Sequence, residues 1–319
     1  MNIQYEKEKG QQLSGMISNI ERYALNDGLG VRTTVFLKGC HLRCKWCSNP
    51  ETQDPREEFM FFGDNCIGCG VCISNCPYNA LSDKAEPDWK ICRDCAEREE
   101  AFACVKTCYA RCRKVTGQKR SVEEVVDAAK RDMAFYIKSG GGVTISGGEP
   151  LAQPEFLREL LKQLKENWMN TAIETCGMGS VETCKEIAPY VDMVFFDLKC
   201  MNSKKHKEWT GADNAKILEN FLLMSQLAKE HSFELIARTP VIPGFNDTKK
   251  DIEEIAAFIK KAGAGVSGYE LLPYHRLGRG KYRSLGRDYE LDELVPPSDE
   301  WMEKLSHTAS AYGIKLCKF

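Results

Sequence analysis

The sequence lacks the features that mark several whole classes of protein. No run of about 18 apolar residues occurs anywhere, which argues against a membrane-spanning helix. Met1–Gln12 is polar and mixed in charge, without the apolar stretch of a secretory signal. Net charge is only −2, with 44 Lys and Arg against 46 Asp and Glu, so bulk electrostatics point to neither nucleic acid nor membrane as partner. Tandem sequence repeats and low-complexity stretches are not evident. With 43% apolar and 28% charged residues, a globular chain with a proper core is expected.

What the sequence has in excess is cysteine, 16 in 319 residues. Without an export signal the chain is expected in the reducing cytoplasm, where grouped thiols read as metal sites rather than disulfides. Twelve of the 16 lie between Cys40 and Cys112, and the others are Cys176, Cys184, Cys200 and Cys317. The stretch 64–113 is rich in Cys, Gly, Asn, Pro and charge and has little periodic hydrophobicity. It cannot build an apolar core, so clusters are expected to replace one. This divides the chain into 1–63, an insert at 64–113, and 114–319.

The remainder alternates strand and helix patterns. Ser121 and Glu124 form a capping box opening a helix to about Ser139, stopped by Gly140–Gly142. Strands are predicted at Thr33–Leu37, Val143–Ser146, Thr171–Thr175, Met193–Asp197, Glu234–Thr239 and Gly268–Leu272. Helices are predicted at Pro154–Trp168, Val181–Ala188, Ala215–Lys229 and Lys249–Ala262. A βα repeat of this kind is an α/β fold with parallel strands. Polar residues cluster just after strands, at Cys40, Gly147, Glu174, Asp197, Arg238 and His275. Delivery of one polar group per strand to a common rim favours a partial, TIM-like (β/α)6 barrel over a doubly wound sheet with a single switch point.

After the first strand comes Cys40-His-Leu-Arg-Cys44-Lys-Trp46-Cys47-Ser48. Three thiolates on one loop can hold three irons of a 4Fe–4S cube and leave the fourth open as a coordination site. A structural zinc loop, or a cube closed by a distant cysteine, is the competing reading. Further on, Cys66, Cys69, Cys72 and Cys76-Pro77 reproduce the bacterial ferredoxin run, in which the fourth Cys ligates the other cluster. A second, irregular run holds Cys92, Cys95, Cys104, Cys108 and Cys112, with 97–103 read as a loop insertion. Crossed ligation gives Cys66, Cys69, Cys72 and Cys108 to one cluster and Cys76, Cys92, Cys95 and Cys104 to the other. Cys112 competes with Cys108. Cys184 and Cys317, the latter in an expected terminal strand, read as core thiols.

Cys40, Cys44 and Cys47, with Trp46 at the aromatic position, resemble the signature of the radical S-adenosylmethionine (SAM) enzymes. Gly147-Gly148-Glu149 is similar to that superfamily's Gly-Gly-Glu motif, where a carbonyl or Glu149 would accept from the SAM ammonium. The resemblance implies that Ser48, Lys199, Arg238 and His275 also face SAM. The run 23–33, Glu174-Thr175-Cys176-Gly177, Asp197-Leu198-Lys199, 241–244 and 271–278 resemble the glycyl-radical-enzyme activases, including those of arylacetate decarboxylases. That likeness implies three 4Fe–4S clusters, SAM as cosubstrate, and a monovalent-cation site at Glu174, Thr175 and Asp197. It implies a monomer that draws electrons from flavodoxin or ferredoxin and abstracts hydrogen from a backbone glycine of a large partner. Leu29 departs from the family, which has proline there. Two other readings remain: a radical enzyme acting on a small molecule or peptide, and a multi-cluster electron carrier without radical chemistry.

Overall fold

The computed structural model describes residues 12–319, so the reading of 1–11 for an export signal lies outside the described residues. Ten strands are described: β1 (Ser14–Ala24), β2 (Arg32–Leu37), β3 (Glu58–Phe61), β4 (Arg113–Thr116), β5 (Gln118–Ser121), β6 (Gly142–Gly147), β7 (Asn170–Thr175), β8 (Met193–Asp197), β9 (Glu234–Val241) and β10 (Gly268–Pro273). Eight form one sheet in the order β10-β9-β8-β7-β6-β2-β1-β5. From β2 to β10 every pairing is parallel. These strands are short and buried almost without interruption, as expected where helices cover one face and a filled interior the other.

The sheet is curved. A single cavity touches residues from β2, β6, β7, β8, β9 and β10. Six strands laid flat would span about 24 Å at roughly 4.8 Å each, too far for one cavity of about 560 Å³ to reach them all. The partial barrel is therefore the architecture. Its outer layer is typified by the helix Pro154–Glu166, which buries Phe156, Leu157, Leu160, Leu161 and Leu164 on one face.

Three features depart from expectation. β1, whose second half is largely polar and exposed, extends the sheet antiparallel to β2 and carries β5 at its edge. The helix after Ser121 is two helices, Val122–Lys130 and Met133–Ser139. It breaks at Asp132, whose carboxylate accepts from Arg22 Nε at 2.9 Å and from the Thr33 hydroxyl at 2.8 Å, tying the turn to β1 and β2. The expected terminal strand at Cys317 reduces to one parallel bridge, Tyr269 to Leu316. The capping box is present, with Ser121 Oγ accepting from the Glu124 N–H at 3.2 Å and the Glu124 carboxylate from the Ser121 N–H at 2.8 Å.

Between β3 and β4, which pair antiparallel as a neck, the chain has a core of its own. Its buried members are Phe59, Phe61, Ala80, Ala85, Phe102 and four cysteines, Cys72, Cys92, Cys104 and Cys112. This segment repeats, although no repeat is evident in its letters. Left-handed residues Gly70 and Phe102 precede the short helices Val71–Ser74 and Ala103–Lys106, and left-handed Asn79 and Arg111 follow them. These pairs stand 32 residues apart, as do Cys72 with Cys104 and Cys76 with Cys108.

Candidate active site and cluster cavities

The barrel cavity opens where the parallel strands end. Gly39 and Cys40 are pinned by backbone bonds to Thr52 and Gln53, at 2.7 and 3.1 Å. Downstream, the Arg43 and Lys45 N–H groups donate to the carbonyls of Thr210 and Trp209 at 2.7 and 3.1 Å, so the loop rests on the helix Ser203–Thr210. Trp46 is buried against Phe245, ring centroids 5.0 Å apart. This leaves Cys40, Cys44, Cys47 and Ser48 on the cavity wall. Burial pushes the Cys44 thiol well up and the Cys47 thiol up to about 11, so both would have to shed a proton before ligating a metal.

The opposite wall is made by strand ends. Gly147, at φ +109°, and Gly148 lie against the cluster loop, and a Cβ on either would meet a carbonyl of Leu37 or Gly39 at 2.4 Å. The Glu149 carboxylate points elsewhere. It is fully buried, accepts from the Leu151 N–H, the Thr175 hydroxyl at 2.6 Å and the Cys176 N–H at 2.7 Å, and does not line the cavity. Of the two acceptors expected here, only the Gly147–Gly148 backbone faces the cavity, while Glu149 braces β6 against β7.

Glu174 accepts from Ser146 at 2.5 Å and from Arg238 Nη1 at 2.6 Å. The Arg238 Nε donates to Glu270 at 2.7 Å, and its guanidinium lies 3.5 Å from the Phe195 ring centroid. Burial raises the Glu174 carboxyl against the pull of Arg238. Burial alone would lower Lys199, but Asp197, at 2.6 Å, and the thiols of Cys44 and Cys176 hold it above its ordinary value. His275 lines the cavity, its ring pKa lowered by burial, and accepts from the Leu277 N–H at 3.3 Å. Thr175 lines the same wall.

Sequence reasoning missed Glu270, the second carboxylate on Arg238. The signal was an acid in the middle of the apolar strand Gly268–Pro273. Cys176 also lines the cavity, and its thiol holds that of Cys40 below its ordinary pKa. Cys200 lies behind the wall with Trp46 and Phe245, and Cys184 lies in the main core. The turn before the loop keeps left-handed Gly28 and Gly30 at φ +128° and +69°, with Leu29 exposed between them.

Two smaller cavities lie in the cysteine-rich segment. One is walled by Cys76, Cys92, Cys95 and Cys104, the other by Cys66, Cys69, Cys72, Cys108 and Cys112. Among the described residues no three His, Cys, Asp or Glu side chains converge on one ion; the thiols stand around the two cavities. Cys108 and Cys112 are 3.4 Å apart. In the 32-residue repeat Cys108 matches Cys76, while Cys112 matches Ala80, an apolar wall residue of the other cavity. Burial would raise Cys108, but a hydrogen bond from Cys112 and the backbone N–H groups of Arg113, Cys112 and Ala110 lower it. Cys112 is pushed up to about 12 by burial and by Cys108.

Comparison with known proteins agrees with this geometry. The radical SAM superfamily profile matches residues 69–259, and the 4Fe-4S single cluster domain profile matches 26–82. The isethionate sulfite-lyase activating enzyme of Desulfovibrio desulfuricans is 46% identical over 88% of this chain and 89% of its own length. The 4-hydroxyphenylacetate decarboxylase activating enzyme of Clostridioides difficile is 43% identical over 95% and 96%. The indoleacetate decarboxylase activating enzyme of Tractidigestivibacter scatoligenes is 36% identical over 97% and 98%. Among solved structures, Streptococcus suis SuiB bound to its precursor peptide SuiA shares the fold, with a TM-score of 0.50 and 14% identity, covering 87% of this chain and 45% of SuiB. The loop thiols, the glycine turn and these relatives agree, and the chain belongs to the radical SAM superfamily, among the activating enzymes of glycyl radical enzymes.

Proposed function

We propose that this chain activates a large glycyl radical enzyme using three 4Fe–4S clusters and SAM. The observation that carries the reading is the single cavity shared by Cys40, Cys44, Cys47, the Gly147–Gly148 turn and the strand-end residues Glu174, Asp197, Lys199 and His275. Cys40, Cys44 and Cys47 would hold the SAM-binding cluster, leaving one iron open to SAM. When bound, that cluster supplies the electron that splits SAM into methionine and a 5′-deoxyadenosyl radical, which takes hydrogen from the partner's glycine. The chain's own part is orientation. The Gly147–Gly148 backbone receives the ammonium, Lys199 and Arg238 set the charge at the carboxylate end, and His275 closes the nucleoside side. Glu174, Thr175 and Asp197 offer oxygens for a monovalent cation beside SAM.

The residues of 64–113 fit two further clusters, one on Cys66, Cys69, Cys72 and Cys108 and one on Cys76, Cys92, Cys95 and Cys104. The repeat favours Cys108 over Cys112. These clusters relay electrons from a flavodoxin or ferredoxin. The segment is joined to the loop through 279–287: Arg93 donates to the Gly286 carbonyl at 3.0 Å, and Lys281 reaches Asn49 and Glu51 at 2.7 and 2.6 Å, just beyond Cys47. The chain works as a cytoplasmic monomer.

The test is anaerobic reconstitution with iron and sulfide, then SAM, a reductant and candidate partners, isethionate sulfite-lyase and 4-hydroxyphenylacetate decarboxylase among them. A doublet glycyl radical signal by electron paramagnetic resonance (EPR), with matching 5′-deoxyadenosine, is expected with one partner and is lost in Cys44→Ala. Cleavage of SAM with no glycyl radical on any candidate would overturn the partner reading.

A further inference from the structure

Among the described residues, buried cations have their nitrogens bonded, except at Arg113. Arg32, 1% exposed, is bonded by Thr144, Asn170 and the carbonyls of Leu29 and Val143. Lys38 has Glu58, and Arg238 has Glu174 and Glu270. Arg113, 2% exposed at the start of β4, donates only from Nη2, to the Ala85 carbonyl. Its Nε and Nη1 are buried with nothing to bond, and no carboxylate among the described residues pairs with it. A guanidinium does not escape this by losing its proton. An unpaired buried charge is costly unless an opposite charge lies close by.

The place of Arg113 suggests that charge. Its guanidinium sits 4.5 Å from the Phe61 ring centroid and 5.7 Å from that of Phe59. Phe59 walls the Cys76/Cys92/Cys95/Cys104 cavity, and Ala85 walls the Cys66/Cys69/Cys72 cavity. In the 32-residue repeat Arg113 answers to Leu81, so the cation is present on one side only of an otherwise matched pair of halves.

We propose that Arg113 is the buried counter-cation of the two insert clusters, its charge favouring the reduced, more negative state. This rests on the two-cluster reading of the insert. Net charge and hydrogen bonds to sulfur are the terms that set cluster potential, so Arg113 is a positioning residue for electron delivery and touches neither SAM nor the partner.

The experiment is an EPR-monitored redox titration of the full chain, following signals unaffected by added SAM, on wild type, Arg113→Met and Arg113→Lys, with iron counted in each. Arg113→Met is expected to lower the equilibrium constant for one-electron reduction of the insert clusters about tenfold, a shift of about 59 mV to more negative potential. Arg113→Lys, which keeps the charge, stays within about threefold of wild type. Loss of insert iron in Arg113→Met but not in Arg113→Lys also supports the proposal. Wild-type potentials in a fully loaded Arg113→Met, or equal loss of iron from both variants, would overturn it. Wild-type iron near four per chain, in place of about twelve for three 4Fe clusters, would instead remove the two-cluster reading on which it stands.

Discussion

The helix Pro154–Glu166 buries one phenylalanine and four leucines against the sheet, whereas four of the nine buried residues in the core of the cysteine-rich segment are cysteines. The barrel is held by apolar area, and its buried guanidiniums are satisfied within it, Arg238 by two carboxylates and Arg32 by four neutral oxygens. The cysteine-rich segment has four-residue helices, small cavities ringed by thiols, and a buried arginine two of whose nitrogens bond nothing. A segment of about 50 residues seldom supplies a sufficient apolar core. The comparison teaches that the barrel carries its own folding energy, whereas the segment has too little apolar core to supply its own.

The sharpest way to break this comparison is to remove the segment's clusters. The double variant Cys66→Ala/Cys92→Ala is expected to lose amide-exchange protection across 62–112 while β6 to β9 keep theirs. SAM cleavage driven by flavodoxin or ferredoxin should slow in parallel. Unchanged turnover with an ordered segment would end both the relay and the idea that clusters stabilise the segment.

The converse substitution is Leu160→Ala in the barrel, where the side chain is fully buried. It is expected to cost about 2–5 kcal/mol of barrel stability, read from the denaturation midpoint, with iron content unchanged. Loss of insert iron in this variant would show that the two regions fold as one.

A smaller effect is expected at Asp132. The bond from Arg22, then that from Thr33, holds its carboxyl below the usual carboxylate range. A depressed folded pKa means stability that is present above the unfolded value, about 3.9, and lost as pH falls through the folded one. Asp132→Asn should therefore lower Tm at pH 7, and the gap to wild type should close as pH is taken below about 4. A gap independent of pH would show that the carboxylate's charge is not what joins the helix break to β1 and β2.

Much of the site was legible because its residues carry their signal locally. Three cysteines on one loop, a glycine pair after a strand, and acids or bases at strand ends are patterns within a few letters. β6 to β10 were legible for the same reason, since buried parallel strands are short apolar runs. β1 was not, because an edge strand with one wet face has no such run. The helix break was not, because Asp132 is drawn off the helix by partners 99 and 110 residues away.

By itself the sequence determined the cluster chemistry, the βα order and the rim, since thiol spacing and hydrophobic periodicity are properties of neighbouring residues. Only the tertiary structure decided that Glu149 braces a strand, that Arg238 spans Glu174 and Glu270, that Cys112 stands where the other half has Ala80, and that Arg113 lies buried against Phe61 with no acid paired to it among the described residues. Each of these depends on which distant groups meet in space and on how little water remains between them.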